Sequence, residues 1–165
     1  MKILRKLIRP RGKSKYAHPV DFFIFELHMR TADTSIARMS FDETKHILHI
    51  EMKENAQMDM EATVAHYEKI IEVTGGKKYL ALIDSGNYFH IDSDALELTS
   101  RKGTIGGRVA AAHYNVSVAN KLTTHFFRSY YKLPIPFAVF ESKEEALKWL
   151  LSLPQARKLK PKKQK

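Results

Sequence analysis

Eight histidines are the residues of this sequence best suited to chemistry, because imidazole binds metal ions and exchanges protons near neutral pH. His46 and His49 are three residues apart on a predicted strand, where that spacing directs side chains to opposite faces. His66, His113 and His125 belong to three different predicted elements, and no carboxylate accompanies them at ligand spacing. We therefore predict structural or solvent-facing histidines, no metal site and no cofactor.

A second group combines aromatic and basic side chains near the end of a predicted helix. Phe126 and Phe127 cannot both face a sheet, because neighbours on a helix point about 100° apart. Phe127 and Tyr131 then form a partly exposed aromatic stripe beside cations, a composition typical of partner surfaces. The alternative is that this stripe packs against the terminal helix or the N-terminal segment. The predicted partner surface consists of Phe127, Arg128, Tyr130, Tyr131 and Lys132.

The sequence lacks the short motifs that indicate common enzyme classes. It contains no Gly-x-Ser-x-Gly elbow, no phosphate-binding glycine loop and no paired Rossmann glycines. Residues 103–107 are rich in glycine, but they precede a strand rather than a helix, so their amides form no helix-end phosphate cradle. We expect a flexible connection there and a protein that is not an enzyme.

The net charge of +10 is concentrated at the two ends of the chain. Residues 1–28 hold seven basic and two acidic residues, and residues 154–165 hold six basic and no acidic residues. Residues 29–153 hold fifteen basic and sixteen acidic residues and are nearly neutral, so we expect no specific nucleic-acid interface. The basic ends suit an anionic lipid surface. The absence of cysteine fits a cytoplasmic location.

The same distribution predicts three segments. Residues 1–34 form a basic N-terminal segment, residues 35–153 form the folded domain, and residues 154–165 form a disordered polybasic tail that begins where Pro154 ends the fold. The first segment starts with a cationic amphipathic pattern over residues 3–8. The alternatives for it are a disordered leader, or a protein whose translation starts at Met29.

The first half of the domain begins with a predicted antiparallel hairpin, because residues 36–41 and 47–52 both alternate apolar and polar side chains. A helix follows over residues 59–74 and ends at a glycine pair. A nearly all-apolar central strand (79–84) and a short helix (94–101) come next. The buried face of the longer helix is predicted to carry Met60, Val64, Tyr67 and Ile71.

The sequence of the second half of the domain predicts a strand, a crossover helix and a second strand. Residues 108–116 read as a strand that is buried on both faces, and Ser117 reads as the cap of a helix whose apolar stripe contains Val118, Ala119, Leu122 and Phe126. Pro134 and Pro136 end that helix, and residues 137–140 form the next strand, which should lie parallel to the first. A capping box at Ser142 starts the last helix. The order of elements predicts an α/β fold.

Several short stretches of the middle segment resemble a known family. They include Gly75-Gly76-Lys77-Lys78, Ile83-Asp84, Val109-Ala110-Ala111-Ala112, Val118-Ala119-Asn120, Phe126-Phe127, Pro134-Ile135-Pro136, Phe140, Glu144-Glu145-Ala146 and Trp149-Leu150. With them, residues 35–153 resemble a STAS/SEC14-like domain of the superfamily of bacterial anti-sigma-factor antagonists, and are most similar to small stand-alone bacterial members. The resemblance implies a mixed sheet of four to five strands with helices mainly on one face, and it implies no reaction.

The resemblance also singles out one serine. In the antagonists of that superfamily, a serine that follows an aspartate at the start of the short helix is phosphorylated and switches partner binding. Asp92 and Ser93 occupy that place here and are a candidate phosphoswitch. Asp94 and Ala95 follow, where the antagonists have another small residue and glycine, and a phosphate beside two aspartates would meet like charge. The alternative is that Ser93 only caps the helix.

Together these observations predict a non-enzymatic regulatory domain that works by binding. The partner is a regulatory protein, a second copy of the chain, or an apolar or anionic ligand. The alternative function is lipid or membrane-surface binding of the SEC14-like type, with the amphipathic leader and the polybasic tail placed around a pocket.

Overall fold

The computed structural model describes residues 29–100, 106–121 and 133–159. Its strands are β1 (Met29–Asp33), β2 (Ala37–Asp42), β3 (Ile47–Met52), β4 (Ala56–Met58), β5 (Tyr79–Asp84), β6 (Phe89–Ile91), β7 (Arg108–Tyr114) and β8 (Phe137–Phe140). Its helices are α1 (Met60–Thr74), α2 (Ser93–Ser100), α3 (Lys143–Ser152) and α4 (Pro154–Leu159), and residues 118–121 are also helical.

The main sheet contains six of these strands in the order β1-β2-β3-β5-β7-β8. The pairs β1/β2 and β2/β3 are antiparallel, and the pairs β3/β5, β5/β7 and β7/β8 are parallel. The predicted α/β class, with a mixed sheet and an N-terminal antiparallel hairpin, is confirmed. The predicted number of four to five strands is too low, because β1 adds a sixth strand next to the hairpin.

The folded part begins earlier than residue 35. Strand β1 pairs with β2 along its whole length, from Met29 opposite Asp42 to Asp33 opposite Arg38. Its five residues show no buried side chain, so the strand is held by backbone hydrogen bonds to β2 more than by apolar burial. The boundary predicted after residue 34 is therefore wrong. Residues 1–28 lie outside the described part of the chain.

Helix α1 has the predicted ends but not the predicted buried face. The carboxylate of Asp59 accepts from the amide of Ala62, and Gly75 closes the helix at φ 61°, a conformation that glycine adopts without strain. The exposed fractions of Met60, Val64 and Ile71 are 43%, 42% and 48%. Of the four predicted residues only Tyr67 is buried. The side chains of α1 that are buried are Thr63, His66, Tyr67, Ile70, Val73 and Thr74.

Both faces of the sheet are covered by helices. Phe41, Leu48, Ala81 and Ala111 are aligned across the strands on the face that packs against α1. The opposite face packs against α3 and α4 and contains, among others, Leu80, Leu82, Ala110, Ala112, Ala146, Leu150 and Ala156. The prediction that the helices lie mainly on one face of the sheet is therefore wrong. We call the α1 side the front face and the α3 side the back face.

The C-terminal end of the domain also differs from the prediction. Pro154 does not end the fold but is the first residue of α4, a position that suits proline because its missing amide has no helical partner there. Ala156 is 4% exposed and packs in the back-face core, and Leu159 lies against the same core. Residues 160–165 lie outside the described part of the chain.

Strands β7 and β8, on either side of the crossover, lie close to their predicted positions. Strand β8 pairs with β7 in parallel, as predicted. The hydroxyl of Ser117 accepts from the amide of Asn120 at 3.3 Å, in agreement with its predicted role as a cap. Val118, which was predicted on the apolar stripe of the crossover helix, is 83% exposed. The rest of that predicted stripe, at residues 122 and 126, lies outside the described residues.

Candidate ligand-binding cavity

The front face of the sheet contains a cavity of about 110 Å³ beneath α1 and α2. In the part of the chain that the structure describes, its walls come from the main sheet, the small parallel sheet of β4 and β6, the helices α1 and α2, and the segment before β8. The walls are mostly apolar. Those apolar residues include Ile50, Met52, Met58, Ile70, Ile83, Phe89, Ile91, Leu96, Leu133, Ile135 and Phe137.

Arg108 reaches this cavity because of an irregularity in β7. Along β7, Ala110 and Ala112 face the back core, and Ala111 faces the front core. Strict alternation would therefore place residue 108 on the back face. The pairing of β7 with β5 shifts by one residue after Tyr79 and Arg108, so Val109 is an extra residue. A bulge of this kind turns the preceding side chain to the other face, and Arg108 lines the front cavity.

The guanidinium of Arg108 is only partly satisfied by the protein. Its Nη2 donates to the carbonyl of Thr99 at 3.2 Å. Its Nε is buried and has no hydrogen-bond partner. Among the described residues, no carboxylate lies within 4.0 Å of it. Since arginine stays protonated in proteins, the cavity wall carries a positive charge without a counterion from the described part of the chain.

Two histidines line the same cavity as neutral imidazoles. Burial, together with the smaller effect of the charge of Arg108, lowers the pKa of His66 to about 4. The pKa of His113 is lowered to about 3 by the same two causes, with burial the larger. Nδ1 of His66 lies 3.2 Å from the hydroxyl of Thr34, and Nδ1 of His113 lies 2.8 Å from the hydroxyl of Ser85. Each ring is therefore held in place by one hydroxyl partner.

Two tyrosines complete the polar side of the cavity. Tyr67 comes from α1 and Tyr79 from the start of β5, where it is fully buried. Burial raises the pKa of each phenol, so both remain protonated hydrogen-bond donors at neutral pH. Among the described residues, the cavity thus combines one fixed cation, two neutral imidazoles, two phenols and the hydroxyl-bearing Thr99 with an otherwise apolar wall.

A second group of polar side chains lies at the carboxyl ends of β3, β5 and β7. Nε2 of His49 lies 2.7 Å from the hydroxyl of Tyr114, whose pKa is raised by burial and by the nearby charge of Asp84. The carboxylate of Asp84 accepts from the amide of Gly86 and the side chain of Asn115. His49 and Tyr114 thus pair with each other, and Asp84 and Asn115 pair with each other. Within the described ranges, no cluster of three or more His, Cys, Asp or Glu residues is arranged to hold a metal ion.

The predicted phosphoswitch residues lie on the surface at the start of α2. Ser93 is exposed and is the first residue of the helix, so the residue in the capping position is Asp92 and not Ser93. The carbonyl of Asp92 accepts from the amide of Leu96, and its carboxylate lies 3.1 Å from Nε2 of His90. Phosphorylation of Ser93 stays a prediction.

The predicted partner surface cannot be placed, because Phe127, Arg128, Tyr130, Tyr131 and Lys132 lie outside the described residues, as does His125. In the part of the chain that the structure describes, no helix has the length and apolar composition needed to cross a bilayer.

Comparison with known proteins gives one match. A family model described as Domain of unknown function (DUF7793) covers residues 39–154. The chain belongs to this family. The DUF7793 region begins within β2, ends at the first residue of α4 and includes every described residue of the cavity wall. Neither the curated proteins nor the solved structures match the chain. The resemblance to STAS/SEC14-like domains stays a prediction.

Sequence reasoning missed the cavity of this DUF7793 domain for two local reasons. The predicted face of α1 excluded His66, although Thr63, His66, Ile70 and Val73 follow helical spacing and mark the true face. Arg108 was placed at the start of a strand, but the extra residue that turns it inward leaves no signal in the sequence. The histidines were correctly assigned to different elements, and only the tertiary packing brings two of them together.

Proposed function

We propose that this DUF7793 domain is a non-enzymatic binding domain that holds a small, largely apolar ligand in the front cavity. The observation that carries the proposal is the cavity itself, with its apolar wall and its polar groups. A pocket of this composition, with a few placed polar groups, is typical of small-molecule sites. This proposal keeps the predicted mode of action, which is binding, and assigns it to the apolar ligand.

The cost of the cavity favours a ligand over a simple packing defect. Protein interiors are close-packed and hold few voids larger than a water molecule. The cavity is partly open to solvent, so its apolar wall stays in contact with water, at a cost of about 25 cal/mol per Å² of exposed apolar surface. A ligand that fills the cavity offsets this cost.

The geometry around His113 supports binding rather than catalysis. The distance of 2.8 Å between Ser85 Oγ and His113 Nδ1 is suitable for a nucleophile and its base. Ser85, however, is 0% exposed and does not line the cavity, so its hydroxyl has no path to a substrate carbonyl. The described wall of the cavity also contains no carboxylate that could act as a general acid or base.

The predicted regulatory partners remain part of the proposal. A protein partner, a homodimer and an anionic lipid surface would involve residues 1–28, 122–132 and 160–165, which lie outside the described residues. Light scattering at high protein concentration tests the homodimer, and a strict monomer would rule it out. The cytoplasmic location belongs to the same proposal and is supported by the absence of cysteine.

Thermal unfolding with a neutral probe, 3-methylbutan-1-ol, tests the binding proposal. Leu96→Phe adds volume at the cavity wall, and Leu147→Phe adds the same volume on the back face as the matched control. We expect the probe to raise the unfolding temperature of the wild type and of Leu147→Phe, because it binds only the folded state. Leu96→Phe should show no such rise. An equal response in all three proteins, or no response in any, would contradict the proposal.

A further inference from the structure

We propose that the ligand of the front cavity is a short-chain apolar carboxylic acid, bound as its anion, with the carboxylate on the guanidinium of Arg108. This inference rests on the proposed function and adds the chemical class of the ligand. Its apolar chain would lie among the aliphatic side chains of the wall, such as Ile50, Ile83 and Ile91.

The side chain of Arg108 is incompletely paired within the protein. A guanidinium has five N–H donors, and the structure assigns one of its nitrogens, Nη2, to the carbonyl of Thr99. Nε is buried without a partner, and the described residues supply no counterion. Arg108 as a whole is half-buried, but a buried N–H donor without a partner is unfavourable, so such donors are normally paired in natural proteins. An anionic ligand supplies the missing partner.

The geometry of the guanidinium favours a carboxylate as that anion. Nε and a neighbouring Nη of arginine lie in one plane and can donate two parallel hydrogen bonds to the two oxygens of a carboxylate. The other polar groups of the wall are neutral at pH 7, because the pKa of His66 and His113 is lowered and that of Tyr67 and Tyr79 is raised. One positive charge matches a monoanion better than a phosphate that carries close to two negative charges.

The size and polarity of the cavity limit the rest of the ligand. An apolar protein cavity of about 150 Å³ holds benzene, which has six carbon atoms. The 110 Å³ found here suits a chain of about four to five carbon atoms by the same scale. The walls around Ile50, Met58 and Ile91 offer no side-chain hydrogen-bond donor, so hydroxylated acids should bind less well.

Isothermal titration calorimetry of the full chain at pH 7 tests the inference with a matched pair of ligands. The acid 3-methylbutanoate and the amide 3-methylbutanamide have nearly the same shape, but only the acid is charged. We expect the acid to bind about 10- to 100-fold more tightly, which is the range for a hydrogen bond to a charged group. Hexadecanoate is the third ligand, because a free short-chain acid and a membrane fatty acid share the same head group.

Variants of Arg108 test whether the preference for the acid over the amide depends on this side chain. Arg108→Gln should reduce the advantage of the acid over the amide to less than about threefold, and Arg108→Lys should keep part of it, since lysine donates without the planar fork. Lys78→Gln removes an exposed cation close to β5 and is the matched control, for which the advantage should be unchanged. The comparison of acid and amide in the wild type needs no variant to fold.

The possible outcomes separate the two proposals. If the amide binds as tightly as the acid, the assignment of an anion is wrong while the binding proposal stands. Tighter binding of hexadecanoate than of 3-methylbutanoate would overturn the short-chain assignment. If acid, amide and 3-methylbutan-1-ol all fail to bind, the proposed function itself is contradicted.

Discussion

At the scale of single residues, the wall of the front cavity contains two imidazoles, of His66 and His113, that stay neutral in the folded protein at pH 7. Burial is the main cause of their lowered pKa, and the charge of Arg108 adds to it. In the unfolded chain both histidines return to a pKa near 6.5. The folded and unfolded states therefore bind different numbers of protons over a defined pH range, which links these residues to stability.

We predict that the free energy of unfolding falls as the pH is lowered from about 6.5 to about 4. In this window the unfolded chain takes up protons at His66 and His113 that the folded protein does not bind. Above pH 6.5 neither state is protonated at these sites, and their contribution is fully present. The expected slope is about 1.4 kcal/mol per pH unit for each histidine. His49 also has a lowered pKa and acts in the same direction.

Urea unfolding between pH 4.5 and 7.5 measures this slope. Carboxylates with a lowered pKa, such as Asp33, also lose stability toward low pH, so the contribution of one histidine requires a variant. His113→Gln keeps a hydrogen-bonding group near Ser85 and should reduce the slope by the amount expected for one histidine. A slope that is the same in His113→Gln and the wild type would show that His113 is not a buried neutral group.

The residue scale is also where sequence reasoning was weakest. Arg108 was recognised only as the first residue of a strand, because alternation along β7 says nothing of an inserted residue. His66 and His113 were assigned to separate elements, which is correct, but 47 positions separate them in the sequence. Contacts between residues so far apart in the chain depend on packing and strand register, and these cannot be read from a single sequence.

At the scale of elements, the ends of the helices were easier to predict from the sequence than their buried faces. The helix start at residue 59, the glycine turn at Gly75 and the cap at Ser142 were predicted from local chemistry, and all three are present. The face of α1 was wrong because apolar residues occur almost all round this helix. Met60, Val64 and Ile71 form one stripe, and Ile70 and Val73 belong to another. Only the contact with the sheet decides which stripe is buried.

Two substitutions on neighbouring residues of α1 test the observed face. We predict that Ile70→Ala lowers the free energy of unfolding by about 2–5 kcal/mol, because Ile70 is 1% exposed and packs in the front core. Ile71→Ala should cost less than about 1 kcal/mol, because Ile71 is 48% exposed. Both changes replace isoleucine by alanine in one helix, so differences in helix propensity cancel. Equal costs in urea unfolding would contradict the assigned face.

Two further elements were missed for opposite reasons. Strand β1 has no buried side chain, so the periodicity that marks a strand is weak, and its place depends on pairing with β2. Helix α4 was missed because Pro154 was interpreted as a terminator, whereas proline also suits the first turn of a helix. The boundaries predicted at residues 34 and 154 both fail for these reasons.

At the scale of the whole molecule, one sheet separates two cores with different contents. The back-face core is closed by α3 and α4 and contains mostly aliphatic side chains and alanine. The front-face core contains the cavity, with the buried His66, the half-buried His113 and Arg108 in its wall. The α/β class and the mixed sheet were predicted from the order of elements. Coverage of both faces by helices was not predicted, because the resemblance implied helices mainly on one face.

Two truncated chains test the contribution of α4 to the back-face core. Both lack residues 160–165, and the shorter one also lacks residues 154–159. We predict that the chain ending at Leu153 is less stable than the chain ending at Leu159 by about 1–3 kcal/mol, because Ala156 and Leu159 leave the core. Calorimetric unfolding of the two chains measures the difference. Equal stabilities would mean that α4 adds nothing to the fold.

The front cavity is the proposed binding site of the whole molecule. Methyl NMR of the full chain during titration with 3-methylbutanoate tests this most directly, because it locates the bound ligand. We predict shifts at the methyl groups of Ile50, Ile83 and Ile91 in the cavity wall, and none at Leu147 and Leu150 on the back face. Unchanged cavity methyl groups at saturating ligand, or shifts of equal size on both faces, would contradict the account.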